Sequence, residues 1–404
     1  CHGRAAGGAT MIRLLMTSAR VAGLVLLALT SIAKPAHTQS LFNAAGLGTP
    51  VEALDGRARA MGSIGIGLTG GSIMQTDPGG LARLEISTGV MAASPSWIDY
   101  SASSNRTGTF KGNRFPLLGI AYPLLGGMAA IQISSVLDQT YELTRIGETD
   151  LGDGPVRTSD AFTQDGSISN VNLGFSRTLT DWFATGLTVG RFAGNLDRTL
   201  VRAYGEEGVS GNVDTYVESG VWSWTGWSLT AGASADFESL RVAASVQVPS
   251  ELSGTASADT RGSDRSFTTP VQYRVGATAV LGPSIQLHGS AVFADWSKMQ
   301  DDLSSGYAKS GSGYGLGIEL SRARLLGKDA PLRFGFRQTG LPFAFEDESV
   351  KERIFSGGLG LVLNETAGFV LAGVDLAIER GRRSGANLTE NFWRATLSLQ
   401  TSGF

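Results

Sequence analysis

The last strand of the chain constrains the fold more than any other stretch. Between Phe392 and Gln400, Trp393, Ala395, Leu397 and Leu399 occupy one set of alternate positions, and Arg394, Thr396, Ser398 and Gln400 occupy the other. A β-strand has a side-chain period of two, so this segment sets an apolar face against a polar one. A soluble antiparallel sheet with one wet face shows the same pattern. How often the pattern recurs, and where the charges fall within it, separates the alternatives.

It recurs along most of the chain. Tyr273, Val275, Ala277 and Ala279 alternate with Gln272, Arg274, Gly276 and Thr278. Tyr314, Leu316 and Ile318 alternate with Gly315, Gly317 and Glu319, and Leu332, Phe334 and Phe336 alternate with Arg333, Gly335 and Arg337. Val370, Ala372, Val374, Leu376 and Ile378 lie opposite Gly373, Asp375 and Glu379. Every charge in these runs takes the polar set: Arg274, Glu319, Arg333, Arg337, Asp375, Glu379 and Arg394. In a transmembrane barrel that set faces the lumen, where charges pair or meet water.

The chain's other end supports the membrane reading. Residues 1–10 read as upstream sequence. Met11, Arg13 and Arg20 then precede the apolar run from Val21 to Ala33, which ends on the small residues Ser31 and Ala33, with Ala36 just beyond it. A basic stretch followed by a short apolar core and a small-residue cut site is an export signal, assigned to 11–36. The run is too short to be a spanning helix, and no later stretch approaches the roughly 20 apolar residues a helix needs. A membrane protein without spanning helices has to close into a barrel, because lipid offers the backbone no partners. The expected fold class is therefore all-β: a transmembrane antiparallel β-barrel over 83–404, with about 14 strands, an even number as bacterial barrels have. One strand is expected over 126–145, with long polar connections over 146–160, 255–267 and 381–389. The aromatic C-terminal Phe404 is typical of bacterial outer-membrane barrels. The expected location is the bacterial outer membrane.

Residues 41–82 do not alternate. They are rich in Gly and Ala and contain turn formers such as Asp77-Pro78-Gly79-Gly80. They read as an N-terminal hatch, a plug packed inside the barrel through close backbone contacts that Gly permits. The Gly62–Gly67 stretch lacks the Lys-Ser/Thr of a phosphate loop, so it is not a nucleotide site.

Composition excludes several functions. The net charge of −3 argues against nucleic acid. The one cysteine, Cys1, precedes the signal, and the only histidines after the signal's start are His37 and His288. That inventory supports neither a metal cluster nor a Ser-His-Asp set. The expectation is no catalytic residue, no metal and no cofactor.

The segment Arg57-Ala58-Arg59-Ala60-Met61-Gly62, followed by Asp77-Pro78-Gly79-Gly80-Leu81-Ala82, resembles the start of FadL-type outer-membrane transporters and their PorV-like relatives. That family carries a Gly-Ala-Arg-Ala-Met-Gly-like opening and an Asn-Pro-Ala-Gly-Leu-like turn; here Asp77 and Gly79 replace the Asn and the Ala. Further echoes are Pro270 to Gly276, Asp295-Trp296-Ser297 and Leu332 to Arg337. The resemblance implies a 14-stranded barrel with a hatch. It also implies uptake of hydrophobic molecules such as long-chain fatty acids, by capture in an apolar site, hatch rearrangement and lateral release. The PorV-like alternative is a scaffold for protein secretion or surface attachment. Candidate ligand-binding residues are Ile64, Ile66, Leu68, Ile73 and Met74 of the hatch, and Met91, Trp222, Trp224, Phe343 and Phe345 of the barrel, with Met91 assigned to the lumen face. Expected partners are outer-membrane lipids, hydrophobic small molecules and, through the C-terminal strand, the barrel-assembly machinery. The expected state is a monomer.

Overall fold

A computed structural model describes residues 40–102, 107–150, 152, 154–205, 214–304, 306–325, 327–366, 369–385 and 387–404. The signal segment 11–36 lies outside them. Fourteen strands form one closed antiparallel ring. In chain order they are β1 (Thr88–Ala102), β2 (Thr107–Leu124), β3 (Gly127–Asp138), β4 (Pro155–Thr180), β5 (Phe183–Tyr204), β6 (Tyr216–Asp236) and β7 (Leu240–Pro249). They continue as β8 (Gln272–Leu281), β9 (Ile285–Asp295), β10 (Ser310–Leu320), β11 (Leu332–Gly340), β12 (Lys351–Thr366), β13 (Phe369–Gly385) and β14 (Leu388–Ser402). Each pairs with its neighbours in sequence. β1 closes the ring on β14, with Thr88 opposite Ser402 and Ala102 opposite Leu388.

The alternation sorts the side chains. Leu173, Phe355, Leu316, Val275 and Trp393 point outward and are about half exposed or more. Asn170, Asn172, Thr230, Thr278, Glu319, Arg337, Glu379 and Thr396 point inward and are buried. A wall with its large apolar residues outside and its polar residues inside is solvated by lipid, not water.

Three stretches depart from the sequence-based expectation. The strand over 126–145 is two strands. β3 ends at Asp138, whose Oδ1 accepts a hydrogen bond from Thr140 N at 3.0 Å, and Tyr141–Asp150 then pairs with the first half of β4. The loop placed at 146–160 is therefore the tip of a long hairpin. The loop placed at 381–389 is strand up to Gly385, followed by a tight turn with Asn387 at φ 62°. Its arginines alternate: Arg383 points inward, within ion-pair distance of Glu352 at 2.5 Å and Glu390 at 3.2 Å. The connection at 255–267 contains two short strands, Leu252–Ala256 and Arg265–Phe267, added to the edge of β6. β14 ends at Ser402, and Phe404 trails it, with its carbonyl accepting from Ser87 Oγ at 2.6 Å.

The leading segment, residues 40–87, contacts the inner face on all sides. It holds two short helices, α1 (Gly56–Ala60) and α2 (Pro78–Leu81). Asp55 caps α1 through Ala58 N at 2.7 Å, and Asp77 caps α2 through Gly80 N at 2.9 Å. Its backbone is hydrogen-bonded by inward side chains: Ser398 of β14, Ser356 of β12, Arg337 of β11, Ser290 of β9, Thr278 of β8, Ser245 of β7 and Ser234 of β6. Gln75 completes the circuit by accepting from Ser134 of β3 and Asn172 of β4, each at 3.0 Å. Glycine permits this approach. A Cβ on Gly315 would lie 1.8 Å from Gly62 O, and one on Gly317 would lie 2.1 Å from Met61 O.

Candidate functional site

Within the bore, between the leading segment and the wall, lies a cavity of about 200 Å³. One side is apolar. Leu137, Ile168, Phe192, Leu252, Ala294 and Trp296 line it and belong to a buried cluster that also contains Trp222, Trp224, Phe267 and Phe343. Leu54 and Ile64 of the leading segment border it too. The other side is charged, with Glu52, Arg59, Arg114, Arg274, Glu352, Arg383 and Arg394. Inward apolar residues are not required of a water-filled pore. Here those beside the cavity form a continuous patch, separate from the clusters around Val90 and Leu117 and around Ile98 and Phe392, and burying apolar surface is favourable at about 25 cal/mol per Å².

The charged arc is mostly self-neutralised. Glu379 is shared by Arg337 at 3.0 Å, Arg59 at 3.2 Å and Arg394 at 3.3 Å. Arg337 also meets Glu52 at 2.9 Å. Glu319 joins Arg333 at 2.7 Å to Arg57 of the leading segment at 3.1 Å, and Arg333 also pairs with Asp375. Arg114 pairs with Asp138. Burying single charges is costly unless they are paired, so these networks let polar side chains fill the bore. Arg274 differs. Its guanidinium donates to Gln272 Oε1 at 2.6 Å and Gln247 Oε1 at 3.4 Å, and no carboxylate among the described residues lies within 4 Å of it.

The structure distributes the sequence-predicted ligand residues over several environments. Ile64 lines the cavity. Trp222, Trp224 and Phe343 sit in the apolar cluster behind it, and Phe343 meets Trp296 edge-on at 5.7 Å. Leu68 and Met74 pack with Leu54, Ala58 and Met61 inside the leading segment. Ile66 packs against Ala243, and Ile73 against Val90, Ala92 and Leu117 of the wall. Phe345 is 39% exposed and stacks on Phe42 at 6.2 Å, away from the cavity.

Met91 is corrected. It pairs across the ring with Leu399 and Leu118, and it shares parity with the exposed Trp97, so it faces lipid. The phase of β1 is hard to read because its inward residues Val90 and Ala92 are also apolar, packed on Ile73 and Leu81 of the leading segment.

Sequence reasoning also missed most of the cavity's apolar wall. Phe192 and Leu196 sit on the inward parity of β5 and carried no signal beyond an apparent slip in alternation. Trp296 lay within the Asp295-Trp296-Ser297 echo and forms part of a 3₁₀ turn, Trp296–Asp302.

No family model and no curated protein matches the sequence. Solved structures do match. The toluene transporter TodX of P. putida superposes with a TM-score of 0.58 at 14% identity, covering 87% of this chain and 99% of TodX. The fold is that of the FadL-type transporters. A Pseudomonas aeruginosa FadL homologue aligns with a TM-score of 0.56 at 10% identity, over 90% of this chain and 98% of its own. The monoaromatic hydrocarbon channel CymD aligns with a TM-score of 0.54 at 13% identity, over 88% of this chain and 98% of its own. The FadL-type likeness thus covers nearly the full length of each of these barrels. At such low identity the likeness is one of fold.

Proposed function

We propose that this barrel lies in the bacterial outer membrane and takes up hydrophobic molecules through the cavity in its bore. The observation that carries the reading is the continuous apolar wall along one side of that cavity, formed by Leu137, Ile168, Phe192, Leu252, Ala294 and Trp296. A greasy solute gains from such a wall what a water-filled pore denies it. The shared fold with channels described as carrying toluene and monoaromatic hydrocarbons supports the same reading. Residues 41–82 act as a hatch that rearranges during passage, and the solute leaves sideways through the wall. Long-chain fatty acids or similar amphipathic acids suit a cavity with an apolar side and Arg274 on its charged side, because a guanidinium matches a carboxylate in charge and geometry.

Ala294→Trp tests this. Ala294 is a buried lining residue next to Trp296, so an indole there fills the cavity. Uptake of radiolabelled palmitate by cells carrying the variant is expected to fall about tenfold or more, because overpacking closes the passage. Surface amounts of folded barrel should be unchanged. Met91→Trp, on the lipid face, should leave uptake intact. Full palmitate uptake by the Ala294→Trp barrel would sink the reading, and stable co-purification with secretion components would favour the scaffold role in its place.

A further inference from the structure

Three arginines on the outer side of the wall stand without a counter-charge. The strand registers set Phe336, Phe355, Arg380, Trp393 and Trp97 in one row across β11, β12, β13, β14 and β1. Residues directly opposite in an antiparallel pair share a face, and Phe355, Trp393 and Trp97 are exposed, so the row points outward. The row below it holds Phe334, Ile378 and Ala395 and is apolar. The row above it, toward the rim that carries the long connections, holds Gln338, Arg353, Arg382 and Asn391. An aromatic row between an apolar one and a polar one marks where a barrel leaves the hydrocarbon. Long connections belong to the outer end of such barrels, so the arginines stand at the level of the outer leaflet.

Inside the barrel the protein neutralises such residues. Arg383 points into the bore one position beyond Arg382, and it pairs with Glu352 and Glu390. Among the described residues, Arg353, Arg380 and Arg382 lie within 4 Å of no carboxylate. Arg353 donates from Nε to Gln338 Oε1 at 2.9 Å, and Arg380 Cζ lies 5.1 Å from the Trp393 ring centroid. Both contacts steady a side chain without cancelling its charge. None of the terminal nitrogens of the three has a hydrogen-bond acceptor among the described residues. The register places Arg353 directly opposite Arg382, with Cβ atoms about 5 Å apart, and Arg380 on the diagonal from Arg353 at about 7 Å. Like charges so placed repel one another, and Lys351 extends the cluster toward the rim. Asp99, farther along the upper row, lies two strands from Arg382 and accepts from Thr109 Oγ1 at 2.8 Å.

The two kinds of row narrow what covers this face. A soluble anion would meet the arginines and leave the aromatic and apolar rows untouched. A lipid with an uncharged head would cover those rows and leave the cations unpaired. A molecule that answers both has acyl chains and phosphate, and three adjacent cations call for more than the single negative charge of a phosphodiester. We infer that Arg353, Arg380 and Arg382 bind a diphosphorylated glycolipid of the outer leaflet, its phosphates on the guanidiniums and its acyl chains along Phe355 and Ile378. A guanidinium presents paired N–H donors that fit phosphate oxygens. The inference rests on the outer-membrane placement of the barrel and not on the solute it carries.

The test uses the full barrel, purified in a nonionic detergent, and two probes with the same acylated disaccharide body: bis-phosphorylated lipid A and lipid A stripped of both phosphates. Native mass spectrometry of the titrated barrel should show the phosphorylated probe binding about tenfold more tightly. Inorganic phosphate, added at constant ionic strength, should not displace it, because phosphate alone gains nothing from the apolar rows. In R353Q/R380Q/R382Q the preference should fall to about twofold or less, while R353K/R380K/R382K should retain part of it, since Lys keeps the charge but not the fork. Heat-modifiable gel migration would show that both variants fold. A preference that survives in R353Q/R380Q/R382Q, equal binding of the two probes, or displacement by inorganic phosphate overturns the site. Separating the inner and outer membranes of cells that make the barrel keeps the two readings apart. A barrel found in the outer membrane but lacking the preference sinks the lipid site alone. A barrel absent from the outer membrane sinks the placement, and the outer-leaflet lipid with it.

Discussion

Replacing Gly317 by valine is expected to turn a quiet barrel into a conducting one. Gly317 lies on the inward face of β10 between the outward Leu316 and Ile318, and Gly315 and Gly335 are its inward neighbours. All three meet the chain at Met61 and Gly62, just after α1. A Cβ at Gly317 would stand 2.1 Å from Met61 O and 2.8 Å from its carbonyl carbon. Backbone cannot yield to that contact as a flexible side chain could, so the leading segment has to move. The wall itself tolerates the change, because a β-branched residue suits a strand. Barrel assembly and heat-modifiable migration should therefore persist. Met61 and Ala58 would leave their contacts with Leu54, Leu68 and Met74, and the bore beside β10 and β11 would open to water. Single-channel recording in a planar bilayer should then show frequent openings where the unaltered barrel shows few. Conductance that stays as low as in the unaltered barrel, with residues 40–87 still protected from protease, would mean that this glycine contact does not hold the segment in place.

The same glycines show how much was legible in the sequence. The side-chain period of two identified the ring, its strand count and the sorting of Arg274, Glu319, Arg333, Arg337, Asp375, Glu379 and Arg394 to the inner face, because a membrane wall imposes one rule on every strand. The interior obeys no such rule. Phe192, Leu196 and Trp222 are apolar yet point inward, and on parity alone they look like errors of phase. Met91 was placed on the wrong face for the related reason that both sides of β1 are apolar near the leading segment. Arg380 to Arg383 read as a polar loop because four residues cannot display a period convincingly, whereas the structure pairs the inward Arg383 with Glu352 and Glu390. The contacts that fix the leading segment join residues hundreds of positions apart, such as Ser40 with Glu390 and Gly56 with Ser398. Nothing local in the sequence encodes those distances. The cavity is what remains after such contacts form, so its lining was the least legible feature of all.

Loss of the carboxylate at Glu379 is expected to destabilise the barrel more than any other single polar change. Glu379 is 1% exposed, and three guanidiniums converge on its two oxygens. Arg337 and Arg394 belong to the wall, while Arg59 belongs to α1, so one side chain joins three elements. Glu379→Ala would leave Arg59 and Arg394 buried with no ion-pair partner among the described residues, and Arg337 with Glu52 alone. Breaking a buried pair by removing one partner costs about 3–5 kcal/mol, since the remaining charge stays desolvated. The midpoint of heat-induced unfolding, followed by gel migration in detergent, should drop well below that of the unaltered barrel. Glu379→Gln keeps an acceptor and the side chain's shape, so its cost should be smaller than that of alanine. Arg59→Gln removes the only one of the three cations contributed by the leading segment. If the network acts as a unit, Arg59→Gln combined with Glu379→Gln should be less destabilising than the sum of the two single changes, because Glu379→Gln leaves the Arg59 charge without a partner and Arg59→Gln removes that charge. Strict additivity of the pair, or an unshifted midpoint in Glu379→Ala, would show that solvent within the bore screens these charges, and that glycine contacts rather than ion pairs anchor the leading segment.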